Sequence, residues 1–163
     1  MNRQPTIELR TAWTADELQA VGMLFQEYAA SLKIDLCFQD FGTELLNLPG
    51  DYSGTRGALL LATVDGRYAG CCAMRPLDTS DYPNACEMKR LFVREAFRGL
   101  GLGRKLAEGI LDAARMAGYD CILLDTLNEM ESARALYEDL GFAEIPPYYY
   151  NPIPGAHYLR AEL

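Results

Sequence analysis

The run Leu91-Phe-Val-Arg-Glu-Ala-Phe-Arg98-Gly-Leu-Gly-Leu-Gly-Arg104-Lys-Leu106 constrains the fold of this chain more than any other stretch. A short apolar segment enters a turn with glycines at alternate positions, 99, 101 and 103, and a helical pattern starts near Leu102. That order predicts a strand, an anion-binding loop and a helix. Glycine adopts backbone conformations that other residues resist and lets a ligand approach the main chain, so successive N–H groups can converge on one anion. The helix that follows leaves its first N–H groups unpaired and carries about half a positive charge at its N-terminus. With Arg98, Arg104 and Lys105 alongside, the segment reads as a site for a pyrophosphate.

Two familiar phosphate loops are excluded by spacing. A Walker A loop requires Gly-Lys-Ser/Thr at its end, whereas Gly103 is followed by Arg104, Lys105 and Leu106, with no hydroxyl for magnesium. The dinucleotide fingerprint Gly-x-Gly-x-x-Gly would need a third glycine where Leu106 stands. What fits is Arg-x-x-Gly-x-Gly, from Arg98, Gly101 and Gly103. This resembles the acyl-CoA-binding signature of the GNAT superfamily of N-acetyltransferases. The surroundings agree in order and distance. Cys86-Glu-Met-Lys-Arg-Leu-Phe-Val93 is similar to the fourth strand of that family and Cys121-Ile-Leu-Leu-Asp125 to its fifth. Ala133-Arg-Ala-Leu-Tyr137-Glu-Asp-Leu-Gly141-Phe142 is similar to its A-x-x-L-Y-E-x-x-G-F.

The resemblance implies an α/β (α+β) fold: a mixed central sheet of about six to seven strands flanked by about four helices. Strands four and five are expected to splay around the CoA site. The 163 residues, half of them hydrophobic, suit one N-acetyltransferase domain over 1–163. No long apolar run marks a secretory signal or a membrane span. The cysteines, at 37, 71, 72, 86 and 121, sit mostly within apolar segments and form neither a zinc pattern nor a disulfide framework. They read as reduced core residues of a cytoplasmic protein, and no metal is expected. A net charge of −8 disfavours a nucleic-acid surface and is compatible with a cationic acceptor such as an amine.

Along the chain, Thr6 to Arg10 alternates as a first strand. Thr14-Ala-Asp-Glu17 is a capping box ahead of Leu18, Val21, Leu24, Phe25 and Tyr28, so an amphipathic helix runs to about Leu32 with its apolar stripe in the core. A shorter helix is expected from about Phe38 to Leu48, before Pro49-Gly50. Ala58 to Val64 and Tyr68 to Met74 flank Asp65-Gly66 and form a hairpin. Pro76 to Asn84 reads as a loop. Gly118 stops the helix after the glycine loop. Asn128, with Glu131 three residues on, starts another that Gly141 ends. Ala143 to Ile145 and about His157 to Glu162 are closing strands. Between them Tyr148-Tyr149-Tyr150 is a candidate for contacts to an acceptor.

Acetyl transfer from a thioester to an amine needs a held donor, a deprotonated amine, stabilisation of an oxyanion and a proton for the departing thiolate. By resemblance, the N–H groups of Gly99, Leu100, Gly101, Leu102, Gly103 and Arg104, together with Arg98, hold the pyrophosphate of acetyl-CoA. The backbone of Leu91, Phe92 and Val93 pairs with the pantetheine arm like an added strand. The N–H of Leu91 faces the oxyanion, a role worth about 3 kcal/mol of barrier. Tyr137 lies beside the sulfur as general acid, since a phenol of pKa about 10 keeps its proton near neutrality. Glu87, placed like the base of protein-acetylating members, either deprotonates the amine or pairs with Lys89 or Arg67. His157, the only histidine, is a base by its ordinary pKa or a structural residue. Many members place Asn seven residues before the tyrosine; here that position is Met130. Asn128 takes over this pantetheine contact, or Asp125 and Thr126 at the strand end do. The reading is direct transfer to a primary amine in a ternary complex, with a small-molecule acceptor. Alternatives are a protein-lysine acetyltransferase using Glu87 and a non-catalytic acetyl-CoA-binding sensor module. The oligomeric state stays open, although homodimers are common in the superfamily.

Overall fold

The computed structural model describes residues 3–32, 36, 39–127 and 130–163. Local sequence signals account for much of the framework. Thr14 and Glu17 close a complete capping box: Glu17 N–H donates to Thr14 Oγ1 at 3.2 Å, and Thr14 N–H to Glu17 Oε1 at 3.2 Å. They open α1 (Ala15–Leu32), whose Val21, Leu24 and Phe25 are fully buried. Next comes α2 (Phe41–Leu46), shorter than the sequence suggests. Asp40, at its N-terminus, has φ of 56°, a left-handed conformation that a helix cannot incorporate. The expected earlier start at Phe38 lies outside the described residues.

Asp65 and Gly66, with φ of 50° and 80°, form the tight turn between β2 (Ala58–Val64) and β3 (Arg67–Pro76). β1 (Ile7–Thr11) pairs along β2. The glycine-bearing stretch resolves into β4 (Ala85–Val93), a single 3-10 turn at Glu95–Phe97, the loop, and α3 (Leu102–Met116). β5 (Cys121–Leu127), α4 (Glu131–Asp139), β6 (Ala143–Ile145) and β7 (Ala156–Glu162) follow. Among the described residues this gives a seven-stranded sheet in the order β1-β2-β3-β4-β5-β7-β6. Every adjacent pair is antiparallel except β4 and β5, which α3 joins as a parallel crossover.

Two apolar layers enclose the sheet. On one face Met74, Cys86, Met88, Ile122 and Leu124 pack with Leu106 and Ile110 of α3 and Tyr137 of α4. On the other, Leu59, Leu61, Cys71 and Ala73 pack with Val21, Leu24 and Phe25 of α1 and with Leu45 of α2. Cys71, Cys72, Cys86 and Cys121 are buried thiols, as their apolar settings suggest, while Cys37 lies outside the described residues. Among the described residues no helix is long and apolar enough to cross a membrane.

One irregularity positions everything that follows. Opposite Cys72, β4 carries an extra residue: the register passes from Ala73↔Lys89 to Cys71↔Phe92, and Arg90 has φ of 61°. This bulge places Lys89 and Arg90 both towards α1 and α2, then returns Leu91 and Val93 to the α3 side. β4 and β5 share ladder positions only over Ala85↔Cys121 to Glu87↔Leu123. Beyond them the two strands diverge.

Candidate active site

At the end of β4 a cavity of about 450 Å³ opens between the end of α1 and the starts of α3 and α4. Its walls are Leu91, Phe92 and Val93 of β4, Arg98, Gly99, Gly101, Leu102 and Gly103 of the loop, and Met130, Ala133 and Leu136 at α4. The predicted strand, loop and helix residues therefore line one space. Gly99 and Gly101 have φ of 87° and 78°, and a Cβ at either would meet no atom within 4 Å, so the left-handed backbone is what demands glycine there. The N–H groups from Gly99 to Arg104 donate to no described acceptor, and the first backbone bond of the helix is Lys105 N–H to Gly101 O at 3.1 Å. An unpaired row of donors at the positive end of a helix suits a doubly charged anion.

The basic side chains divide. Arg98 donates its Nε to Val93 O at 3.1 Å and is exposed beside the loop. Arg104 turns away to Asp139 of α4 and to Glu108. Leu91 to Val93 keep a β5-facing edge outside any ladder, which an extended ligand can pair with as a strand. Thr126 is buried, its hydroxyl against Met130 Sδ at 3.7 Å. Asn128 lies outside the described residues.

Tyr137 lies beneath the cleft, 6% exposed, its ring edge-on to Phe142 at 5.5 Å. Burial pushes its phenol well above the ordinary value, with the charge of Asp125 adding to the shift. No described residue hydrogen-bonds its hydroxyl, and its neighbour Leu136 lines the cavity. Tyr28, which sequence spacing assigns to the core stripe of α1, instead lines the same cavity, edge-on to Phe92 at 6.1 Å. Burial pushes its phenol up to about 12.

The opposite face of the divergence is polar. Glu87 is 1% exposed and fully engaged: it accepts from Arg75 Nε at 2.9 Å and from Tyr148 Oη at 2.6 Å, with Lys89 Nζ at 4.0 Å. Burial opposes its charge, but Lys89 and Arg75 prevail and hold the carboxyl below its usual range. Burial lowers Lys89 in turn. Arg90 clamps Glu44 of α2 through Nε at 3.0 Å and Nη2 at 3.1 Å, and its Nη1 donates to Gln39 Oε1 at 2.6 Å. Gln39 Nε2 donates to Tyr149 Oη at 3.1 Å, and Tyr149 donates to Asp125 of β5. Asn151 Nδ2 also donates to Asp125, at 3.0 Å. Of the three consecutive tyrosines, Tyr148 and Tyr149 thus face the site while Tyr150 is 83% exposed. His157 lies apart, on β7, against Glu144 and Arg134.

Sequence reasoning did not single out Tyr28, Gln39, Arg90, Tyr149 or Asn151 individually. Besides the tyrosine run 148–150, the available signal was Asp125, a carboxylate inside the apolar run Cys121–Leu127, where an unpaired charge is costly.

A model of the acetyltransferase (GNAT) family matches residues 22–142. An uncharacterised N-acetyltransferase of Schizosaccharomyces pombe is 37% identical over 164 residues, covering 100% of this chain and 99% of the yeast protein. Among solved structures, an acetyltransferase from Streptococcus agalactiae superposes with a TM-score of 0.77 at 23% identity, over 96% of this chain and 98% of that one. The Salmonella typhimurium protein yncA, solved with its cofactor acetyl-CoA, superposes with a TM-score of 0.67 at 20% identity, over 96% and 93% of the two chains.

Proposed function

Because this chain belongs to the GNAT family of acetyltransferases, we propose that it transfers the acetyl group of acetyl-CoA directly to a primary amine on a small molecule, in the cytoplasm. The observation that carries this reading is the cavity at the end of β4, with unpaired loop donors along one wall and α4, the helix that carries Tyr137, along another. Bound there, acetyl-CoA supplies an activated acyl carbon and a thiolate leaving group. The related protein yncA, seen with acetyl-CoA, supports the choice of donor.

The chain's own residues supply the rest. The N–H groups of Gly99 to Arg104 hold the pyrophosphate, with Arg98 beside them. The free edge of Leu91 to Val93 orients the pantetheine arm, with Thr126 flanking the entrance. Asn128 is the proposed substitute for the amide contact absent at Met130. The N–H of Leu91, turned by the Arg90 bulge, donates to the carbonyl oxygen as negative charge builds on it. Tyr137 gives its proton to the leaving sulfur. Its raised pKa keeps that proton in place until a strong base appears beside it. Glu87, the expected base, has both carboxylate oxygens engaged, by Arg75 and by the Tyr148 hydroxyl. The acceptor-side hollow beside Gln39, Glu44, Tyr52 and Arg75 holds about 280 Å³, a volume for a small molecule rather than a folded protein surface.

The test is acetyl-CoA-dependent release of CoA thiol across polyamines, amino acids, aminoglycosides and lysine peptides, with thermal shift by acetyl-CoA measured in parallel. Tyr137→Phe should lower kcat by about 100-fold or more while leaving acetyl-CoA affinity within about threefold. Unchanged turnover would remove Tyr137 from the acid's role. A thermal shift with no turnover on any amine would favour the non-catalytic sensor.

A further inference from the structure

Asp125 occupies a singular place in the sheet. It is the first β5 residue on the acceptor face beyond the last ladder position, Glu87↔Leu123, so it stands where the strands part. Both described donors to it, Tyr149 Oη and Asn151 Nδ2, bond Oδ2, and Oδ1 has no partner among the described residues. The loop 146–155 and Gln39, just before α2, hold that geometry through one chain of bonds: Arg90 to Gln39, Gln39 to Tyr149, Tyr149 to Asp125. The chain bridges the two diverging strands, from β4 to β5. Tyr158 stands opposite Asp125 in the β5–β7 ladder, and the rings of Tyr148, Tyr149 and Tyr158 pack on one another with centroids 5.4–5.7 Å apart beside it. A carboxylate oxygen within a collar of aromatic rings is a site for an ammonium, which gains both a charge-assisted hydrogen bond and the faces of the rings. Glu87 offers no such oxygen, since Arg75 and Tyr148 occupy both of its own.

We propose that Asp125 is the acceptor-side carboxylate of this site: its Oδ1 receives the ammonium of a primary amine and takes its proton, with Gln39 and Tyr149 as positioning residues. This rests on the acetyltransferase reading above. The ammonium gives one proton to Oδ1, and the freed lone pair forms the C–N bond to the thioester carbon while the carbonyl π pair moves to oxygen opposite Leu91 N–H. That pair then returns, the C–S bond breaks with its electrons on sulfur, and Tyr137 protonates the sulfur. The second proton leaving nitrogen restores the Tyr137 phenol, and Asp125 releases the first to solvent. One ammonium and one thioester become one amide, one thiol and one proton.

The test compares Asp125→Asn with the native chain on two nucleophiles. The first is hydroxylamine, which is neutral at pH 7 and needs neither an ammonium anchor nor a base. The second is whichever of spermidine, ornithine and 2-phenylethylamine the native chain acetylates fastest. Asp125→Asn should lower kcat/KM for the ammonium substrate by about 100-fold or more. Its loss on hydroxylamine should be at least about tenfold smaller than its loss on the ammonium substrate. Tyr149→Phe, which leaves the carboxylate but loosens it, should raise KM for the amine with a smaller fall in kcat. Equal losses on both nucleophiles, or amine turnover within about threefold of native, would overturn the assignment. So would a native chain that acetylates hydroxylamine but none of the three amines. A native chain that neither binds acetyl-CoA nor acetylates hydroxylamine would instead refute the acetyltransferase reading itself.

Discussion

The Arg90–Glu44 clamp offers a quantitative test of how the acceptor face is held together. The Arg90 side chain is 2% exposed and that of Glu44 12%, and they meet through two hydrogen bonds of 3.0 and 3.1 Å. Arginine cannot shed its proton, so Glu44→Gln leaves a buried guanidinium without a counter-charge, a change that costs about 3–5 kcal/mol. For a chain of 163 residues each kcal/mol moves Tm by about 2–4 °C, so the midpoint should fall by roughly 6–20 °C. Replacing both partners, as in Glu44→Gln with Arg90→Met, removes the stranded charge and should recover to within about 1 kcal/mol of native. The positive φ at position 90 strains methionine as it strains arginine, so it cancels from the comparison. Calorimetric or urea unfolding of the four proteins in the cycle gives the coupling directly, expected at about 2 kcal/mol or more. Effects that add to within about 0.5 kcal/mol would show that the clamp is not a buried unit.

Two further outcomes follow from local geometry. Lys89 and Arg75 hold Glu87 below the ordinary carboxyl value of 4.5, so its contribution to stability is complete above that pH and is lost as pH falls through the lower folded value. The stability gap between native and Glu87→Gln proteins should therefore be widest above pH 4.5 and narrow below it, and a pH-independent gap in urea midpoints would contradict this. Gly101→Ala forces φ of 78° on an L-residue and should cost about 1–2 kcal/mol, although its Cβ meets no atom. Gly103→Ala, in the helix with its Cβ 3.8 Å from Leu136, should be neutral or stabilise by up to about 1 kcal/mol, and chemical denaturation separates the pair.

The sequence reveals features whose cause is local. Thr14 and Glu17 announce their helix because both halves of the cap lie within one turn. Asp65-Gly66 announces its hairpin because left-handed residues tolerate few side chains. The same reasoning finds the glycine loop, whereas Tyr137 is singled out only by its resemblance to the family's L-Y-E pattern. It fails where contacts join distant segments. The Gln39 to Tyr149 bond spans 110 residues and Tyr149 to Asp125 spans 24, and no periodicity encodes either. Nor is the bulge at Arg90 visible, since arginine is not a residue that composition associates with positive φ. Tyr28 was misplaced for a related reason: helical spacing identifies an inward face, but the end of that face passes beyond the core and borders the cleft. The capacity of Glu87 to pair with Lys89 was legible, whereas its burial under Tyr148 was not.

The bulge has a thermodynamic consequence. By parting β4 from β5 it leaves rungs of the sheet unmade between Leu91–Val93 and the end of β5, so the folded chain is in one sense an unfinished sheet. A ligand lying along that edge, as the proposed function requires, would complete it and would not bind the unfolded chain, so its concentration would enter the unfolding equilibrium directly. At a hundredfold excess over Kd the gain is about 2.7 kcal/mol, a sizeable share of the marginal stability of a domain. Under the proposed function, supply of such a ligand would set how long the chain survives proteolysis. Amide hydrogens along Leu91 to Val93 are where that protection would first be read.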